Sequence, residues 1–166
     1  MASKLPTFTL EQEFAAPCEL VWRTLTEPDL FCRWYGPHTE TVAHAFDVRV
    51  GGAALIEMRM KNGSGYQRMD YVEVEPTERI AWHNSTTDRD WDIAANPGMP
   101  DWPKTLLTII SLEPISGGTR LKLEWAPHNA SEEELAFFAG ALEGLDRGWG
   151  AGIVVLEEIL ASLKAG

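Results

Sequence analysis

The residues best equipped for chemistry in this sequence are four histidines, His38, His44, His83 and His128, and they are scattered rather than grouped. A structural zinc site draws Cys and His together in close pairs, a zinc protease presents His-Glu-x-x-His on a helix, and a calcium loop alternates carboxylates. None of these patterns occurs, so neither a metal nor a cofactor is expected. Gly63-Ser64-Gly65 has the serine of a nucleophile elbow without the flanking pattern, and the Asn-Gly step that opens it marks a turn. No phosphate-cradling glycine loop follows a strand. One acid–base group is left. Glu57, Arg59, Asp70 and His83 would meet in a pocket if their strands turned those side chains inward, where a carboxylate beside a histidine acts as acid or base. Strand alternation places Glu57 and Arg59 on the wet face instead, opposite Ile56 and Met58. No catalytic residue is therefore assigned.

The elements that position these groups follow from periodicity. Residues 7–14 alternate, with Phe8, Leu10 and Gln12 against Thr9, Glu11 and Glu13, as a strand does. Pro17 suits the start of a helix whose buried face is Cys18, Val21, Trp22 and Leu25. Thr26 is placed to cap a second short helix, with Pro28 and Asp29 in its first turn and Gly36-Pro37 ending it. From Glu40 onward the period is two, predicting strands over 42–50, 53–60, 66–75, 79–85, 105–112 and 119–125. Their separators are Gly51-Gly52, a turn over 62–65, Pro76-Thr77 and Ser116-Gly117-Gly118. Residues 86–103 interrupt the series. A segment this long between strands is functional or mobile, and it is predicted to flap over a cavity mouth with Trp91 or Trp102 as its plug; the alternative is a surface excursion pinned by one tryptophan.

Ser131-Glu132-Glu133-Glu134 is a capping box, and the stripe Leu135, Phe138, Leu142, Leu145, Trp149, Ile153, Leu156, Leu160 and Leu163 predicts a helix of about thirty residues behind it. One flank of that helix is apolar throughout, and the only large surface able to cover it is the sheet. The fold class is therefore α+β. Gly140, Gly144, Gly148 and Gly152 recur every four residues within the helix, where each glycine costs about 0.5–1 kcal/mol against Ala. Close packing with a bend near Trp149 is the expected reason, and room for a ligand is the other. Glu143, Asp146 and Arg147 rule out a membrane reading of the same stripe.

A net charge of −11 disfavours nucleic acid and anionic membrane surfaces, both of which are held by clustered Lys and Arg. No apolar run reaches the roughly 20 residues of a membrane span, and the residues 1–6 carry no leader-like apolar stretch. Cys18 and Cys32 are too few for a disulfide scaffold and read as free thiols. A single cytoplasmic domain over 1–166 is expected.

The motifs Ala16-Pro17-Cys18-Glu19-Leu20-Val21-Trp22, Thr26-Glu27-Pro28, Trp34-Tyr35-Gly36-Pro37 and Asp47-Val48-Arg49-Val50-Gly51-Gly52 come in a set order. The stretch Tyr71 to Ile80, then Gly118-Thr119-Arg120-Leu121 and Gly148-Trp149, continue it across nearly the whole chain. In this the sequence resembles the Aha-type branch of the START-like (SRPBCC) superfamily, relatives of the C-terminal domain of the heat-shock-protein-90 ATPase activator. The resemblance implies a helix-grip fold, a curved antiparallel sheet wrapped around a long C-terminal helix with an internal pocket. It places Trp34-Tyr35 near the cavity entrance, and strand and helix phase then offer Met58, Tyr71, Trp82, Trp125, Phe138, Leu142 and Leu145 as candidate lining, each also suited to plain core packing. Seven tryptophans suit a pocket for flat or greasy molecules. The resulting expectation is a binding protein for a small apolar or amphipathic molecule. The alternatives are a cyclase or hydrolase using pocket acids and a co-chaperone-like interaction module. A homodimer through the glycine stripe or an edge strand is compatible with the sequence.

Overall fold

The computed structural model describes residues 5–165, so the first four residues, where a leader was sought, lie outside the described part. Seven strands form one antiparallel sheet in the order β1-β7-β6-β5-β4-β3-β2. They are β1 (Phe8–Phe14), β2 (Glu40–Phe46), β3 (Ala53–Met60), β4 (Gly63–Glu75), β5 (Arg79–Thr87), β6 (Thr105–Ile115) and β7 (Gly118–Pro127). The first strand pairs with the last, and β2 begins at the opposite edge, roughly 29 Å away at the usual strand spacing. The chain crosses that width through α1 (Cys18–Thr26) and α2 (Pro28–Trp34), then closes with α3 (Glu132–Ala165). The sheet curves around α3 as a helix-grip fold requires.

Strand register carries the core. Tyr71, Trp82, Thr108, Trp125 and Phe8 are successive cross-strand partners, so they share the inner face of the sheet. A second row, Ala54, Met69, Asn84 and Leu106, runs beside it and is fully buried. Against this face pack Val21 and Leu25 of α1, Leu30, Phe31 and Trp34 of α2, and Ile153, Leu156, Ile159 and Leu160 of α3.

Several local expectations shift. Thr26 does not cap α2: its hydroxyl donates back to the Trp22 carbonyl at 2.8 Å, and Glu27 stands at the cap position with Pro28 at the first helical position. The 42–50 strand ends at Phe46, because 47–52 folds into a turn in which Gly52 N–H donates to the Arg49 carbonyl at 2.7 Å. A side chain on Gly52 would strike the Asp47 carbonyl, which is why the turn needs glycine there. The β3–β4 hairpin turns at Lys61 and Asn62, one step early, so Gly63, Ser64 and Gly65 are strand residues paired with Met60, Arg59 and Met58.

The capping box forms as its spacing dictates. Glu134 N–H donates to Ser131 Oγ at 3.1 Å, and Ser131 N–H donates to Glu134 Oε1 at 3.0 Å. The other carboxylate oxygen of Glu134 accepts the Lys104 N–H at 2.8 Å, tying the start of β6 to the start of the helix. Burial raises the Glu134 carboxyl, but the Ser131 and Lys104 amides outweigh it and hold the group below its ordinary value. Ser131→Ala is expected to cost about 1 kcal/mol in urea denaturation. Glu134→Ala should cost more, since it orphans two amides instead of one.

Candidate ligand-binding cavity

The helix from Glu132 has 34 residues and is about 51 Å long, and its buried residues fall near its start and in its last third. Phe138 is buried near its start, Ile153, Leu156, Ile159 and Leu160 are buried in its last third, and the helix as a whole contacts α1, α2, β1 and β7. Under the middle lies a cavity of about 800 Å³. Trp34, Tyr35 and the turn 36–39 form one wall, Gln67, Asn84, Thr86 and Trp125 of the inner sheet face form the floor, and Asn96, Met99 and Trp102 of the insertion form a third side. The helix borders it with Phe137, Ala141, Leu145, Trp149 and the glycine stripe, and the space stays open to solvent beside Phe137, Gly140, Gly144 and Gly148.

Aromatic rings contact one another in a series from Phe31 and Tyr35 on one side of this space to Trp102 and Phe138 on the other. Phe31 stacks on Tyr35 at 4.7 Å, Trp34 and Tyr35 meet Trp149 at 6.5 and 6.4 Å, and Trp149 meets Trp125 edge-on at 5.5 Å. Trp125 in turn meets Trp102 at 5.6 Å, and Trp102 meets Phe138 at 5.6 Å. Such contacts fix ring positions by their edge and face charges as well as by area. Trp34 is further held by its indole N–H, which donates to the Thr24 carbonyl at 2.8 Å. The Tyr35 hydroxyl donates to Gln67 Oε1 at 2.8 Å; burial pushes it above the ordinary phenol range, partly offset by the neighbouring Asn84 side chain.

Of the residues singled out from sequence, Trp34, Trp125 and Leu145 line the cavity. Tyr71, Trp82 and Phe138 are buried in the core beside it, and Leu142 is half-buried against that core. Met58 lies near the cavity's edge, its sulfur 4.0 Å from Gln67 Nε2. Sequence reasoning reached Tyr35 only as the neighbour of Trp34 at the entrance, and did not reach Gln67, Asn84 or Phe137 as lining. The signal for Asn84 was present: it sits two residues after Trp82, at the inward phase of an otherwise buried strand. The insertion divides. Trp102 and Met99 stand at the cavity, whereas Trp91 lies on the outer face, where it contacts His44 at 5.5 Å and Tyr66 at 5.4 Å.

The glycine stripe also divides. A methyl group at Gly140, Gly144 or Gly148 would meet nothing within 4 Å, so these three open onto the cavity. At Gly152 it would come within 3.1 Å of the Trp34 carbonyl. Close approach therefore explains Gly152, and space explains the others.

The acid–base group does not enter this cavity. Register pairs Glu57 with Tyr66 and Asp70 with His83, each one residue out of phase with the inward Gln67 and Asn84. On the outer face Glu57 accepts from Ser64 at 2.6 Å, contacts His44 at 2.8 Å and pairs with Arg59 at 3.3 Å. The Ser64 hydroxyl first, then His44, hold the Glu57 carboxyl down at about 2. A carboxylate depressed on folding stabilises the protein above its unfolded value, and the contribution is lost as pH falls through the folded value. The stability difference between wild type and Glu57→Gln should thus be constant above about pH 5 and vanish toward pH 2, as read by denaturation midpoints across that window. His83 stacks on His128 at 4.1 Å and is lowered by burial first and by His128 second, with Asp70 opposing. Among the described residues no three His, Cys, Asp or Glu stand together as a metal site, and no helix is long and apolar enough to cross a membrane.

A long C-terminal helix gripped by a curved seven-stranded antiparallel sheet, over an aromatic-walled hollow, defines a helix-grip protein of START-like type. The chain belongs to the family described as Activator of Hsp90 ATPase homolog 1-like protein, whose profile matches residues 15–161. Solved bacterial structures share the fold. A Nitrosomonas europaea protein is 26% identical with a TM-score of 0.73, covering 100% of both chains. An Arthrobacter aurescens protein is 21% identical with a TM-score of 0.78, covering 95% of this chain and 87% of the other. A Mycobacterium smegmatis protein is 23% identical with a TM-score of 0.75, covering 94% and 91%. A search of curated proteins returns no match.

Proposed function

We propose that this protein binds a small apolar or amphipathic molecule in the cavity under α3, acting in the cytoplasm as a carrier or sensor of that molecule. The observation that carries the reading is the hollow itself. About 800 Å³ lies within the range of small-molecule sites, and its walls are aromatic rings and bare helix backbone. A helix that gives up side chains at three successive turns forgoes stability and packing there, and an occupant is what restores the contacts.

The test is titration of intrinsic tryptophan fluorescence with fused-ring and long-chain apolar compounds, since Trp34, Trp102, Trp125 and Trp149 all line the space. At least one class should give a saturable change that Gly144→Phe, which fills the hollow, removes. A flat response from every class, in a protein shown to be folded, would sink the reading. The family description supports a second reading, a module that docks on a chaperone. An unchanged ATPase rate of a purified Hsp90 on addition of this protein would dispose of it.

A further inference from the structure

On the outer face of the sheet a second hollow of about 370 Å³ lies at one end of β5, β6 and β7, and it shares no residue with the aromatic cavity. Its central feature is a pair of imidazoles. His83 of β5 and His128, the residue after β7, stack with ring centres 4.1 Å apart and planes inclined by 28°. β6 runs between β5 and β7, so the rings meet across it. Both histidines are half-buried. Among the described residues only His44 has its ring in a hydrogen bond or ion pair with the protein, so the stack is what holds these two.

The charged groups that face the pair come from β4, from α3 and from the residue before β6. Asp70 of β4 is the cross-strand partner of His83, but both its oxygens accept from Arg68 Nε, at 3.0 and 3.1 Å. Glu134 of α3 accepts the Ser131 and Lys104 amides, and Lys104 Nζ stands 3.7 Å from it. Ser85, Ile93, Thr105 and Asn129 complete the hollow without charge. Each acid is thus already committed. A single proton on the pair leaves one neutral ring for the other to lie on. Two protons would place unit charges about 4 Å apart in a half-buried site with no uncommitted carboxylate, and such charges repel strongly.

The pair sits where the chain leaves the sheet. His128 N–H donates to the Thr105 carbonyl at 2.9 Å, extending the β6–β7 ladder by one residue. Asn129 then turns the chain at φ 50°, in the left-handed region that asparagine tolerates, and Ser131 opens the capping box of α3. The start of α3 is therefore fastened to the sheet through the box at Lys104 and through the imidazole stack. The two fastenings differ in acid. The Glu134 carboxyl is held below its ordinary value, so the box outlasts mild acid, whereas histidines change charge there. Because folding lowers His83, the folded state takes up fewer protons than the unfolded one, and stability falls as pH drops below about 6.5.

We infer that the His83–His128 stack is an acid-operated latch on the start of α3. With at most one proton between them the rings hold residues 128–131 on β5; a second proton drives them apart and frees that segment with the first turn of the helix. The freed turn leads directly into Phe137 at the edge of the aromatic cavity, so the latch adjoins that space without lining it. It stands independently of the binding role proposed above.

The experiment follows histidine ring protons and backbone amides of the full chain, without ligand, by NMR from about pH 7.5 to about pH 4.5. The His83–His128 pair should titrate in two steps at least about one pH unit apart, and the amides of His128, Glu134 and Leu135 should move with the second step. His128→Phe keeps a flat ring on His83 and removes the second charge. Hydrogen exchange at Glu134 and Leu135 should be alike in the two proteins at about pH 7.5 and about tenfold faster in wild type at about pH 4.5. Amides at the centre of β5 should exchange alike throughout, which separates local release from unfolding. One unsplit titration, or a second step that leaves the three amides where they were, overturns the inference. So does equal exchange of the two proteins in acid. The wild-type titration decides the first two points by itself, so the result does not depend on the variant folding.

Discussion

Replacing Trp34 by Ala lowers the unfolding free energy by about 4 kcal/mol, the largest loss expected from a single side chain here. The ring is 3% exposed and wedged at the junction of every layer. It meets Phe31 edge-on at 5.4 Å, Tyr35 at 5.9 Å and Trp149 at 6.5 Å, and Gly152 of α3 is bare so that its backbone can come close. Truncation opens a hole that α2 and α3 cannot close without moving together, and it also strands the Thr24 carbonyl now satisfied by the indole. Trp34→Phe separates the two terms. It keeps most of the packing and loses the hydrogen bond, so about 1–2 kcal/mol is expected. Urea denaturation followed by far-ultraviolet circular dichroism measures both without relying on tryptophan emission. A loss below about 1 kcal/mol for the alanine variant would show that α2 is not the keystone described.

The triple variant Gly140→Ala, Gly144→Ala, Gly148→Ala moves in the opposite direction, gaining about 2 kcal/mol of stability from helix propensity alone. Each new methyl group meets nothing within 4 Å, so no clash offsets the gain. All three border the cavity, so affinity for a fused-ring apolar probe should drop by at least about tenfold. Gly152→Ala is the control: its methyl would lie 3.1 Å from the Trp34 carbonyl, and the same propensity gain should be cancelled by the shift that contact forces. Thermal unfolding and a fluorescence titration of the three proteins, wild type included, test the pair of effects. Stability that rises with binding unchanged would mean the stripe is not part of the ligand's surface. A variant that is both less stable and weaker in binding would mean the helix needs its glycines for its own path.

Those glycines illustrate where sequence reasoning reaches and where it stops. Their fourfold spacing was visible, and so was the fact that it costs helix stability. Whether a bare position faces a neighbour or a void depends on what lies a few ångströms away in another part of the chain. Gly152 faces the end of α2, more than a hundred residues earlier, and the other three face the hollow. The histidine and carboxylate residues show the converse. Alternation already set Glu57 and Arg59 apart from Ile56 and Met58, and register leaves Glu57 outside with Ser64 and His44. The Ser131–Glu134 capping box and the length of α3 were legible for the same reason: each depends on residues within a few turns of one another.

The cavity was legible only in part. Trp125 and Leu145 follow from the phase of a strand and a helix, but Phe138 and Leu142 share that helix and pack into the core instead. The difference depends on which parts of α2, the sheet and the 86–103 segment stand opposite each helix position. Likewise Trp91 and Trp102, eleven positions apart on one insertion, end on opposite faces of the sheet. Periodicity thus determined the elements, their faces and the family to which the chain belongs, since those are written in short-range patterns of burial. Tertiary structure alone decided which apolar side chains fill the interior and which surround empty space. Packing is a competition among distant surfaces for the same volume, and no local pattern records who arrives first.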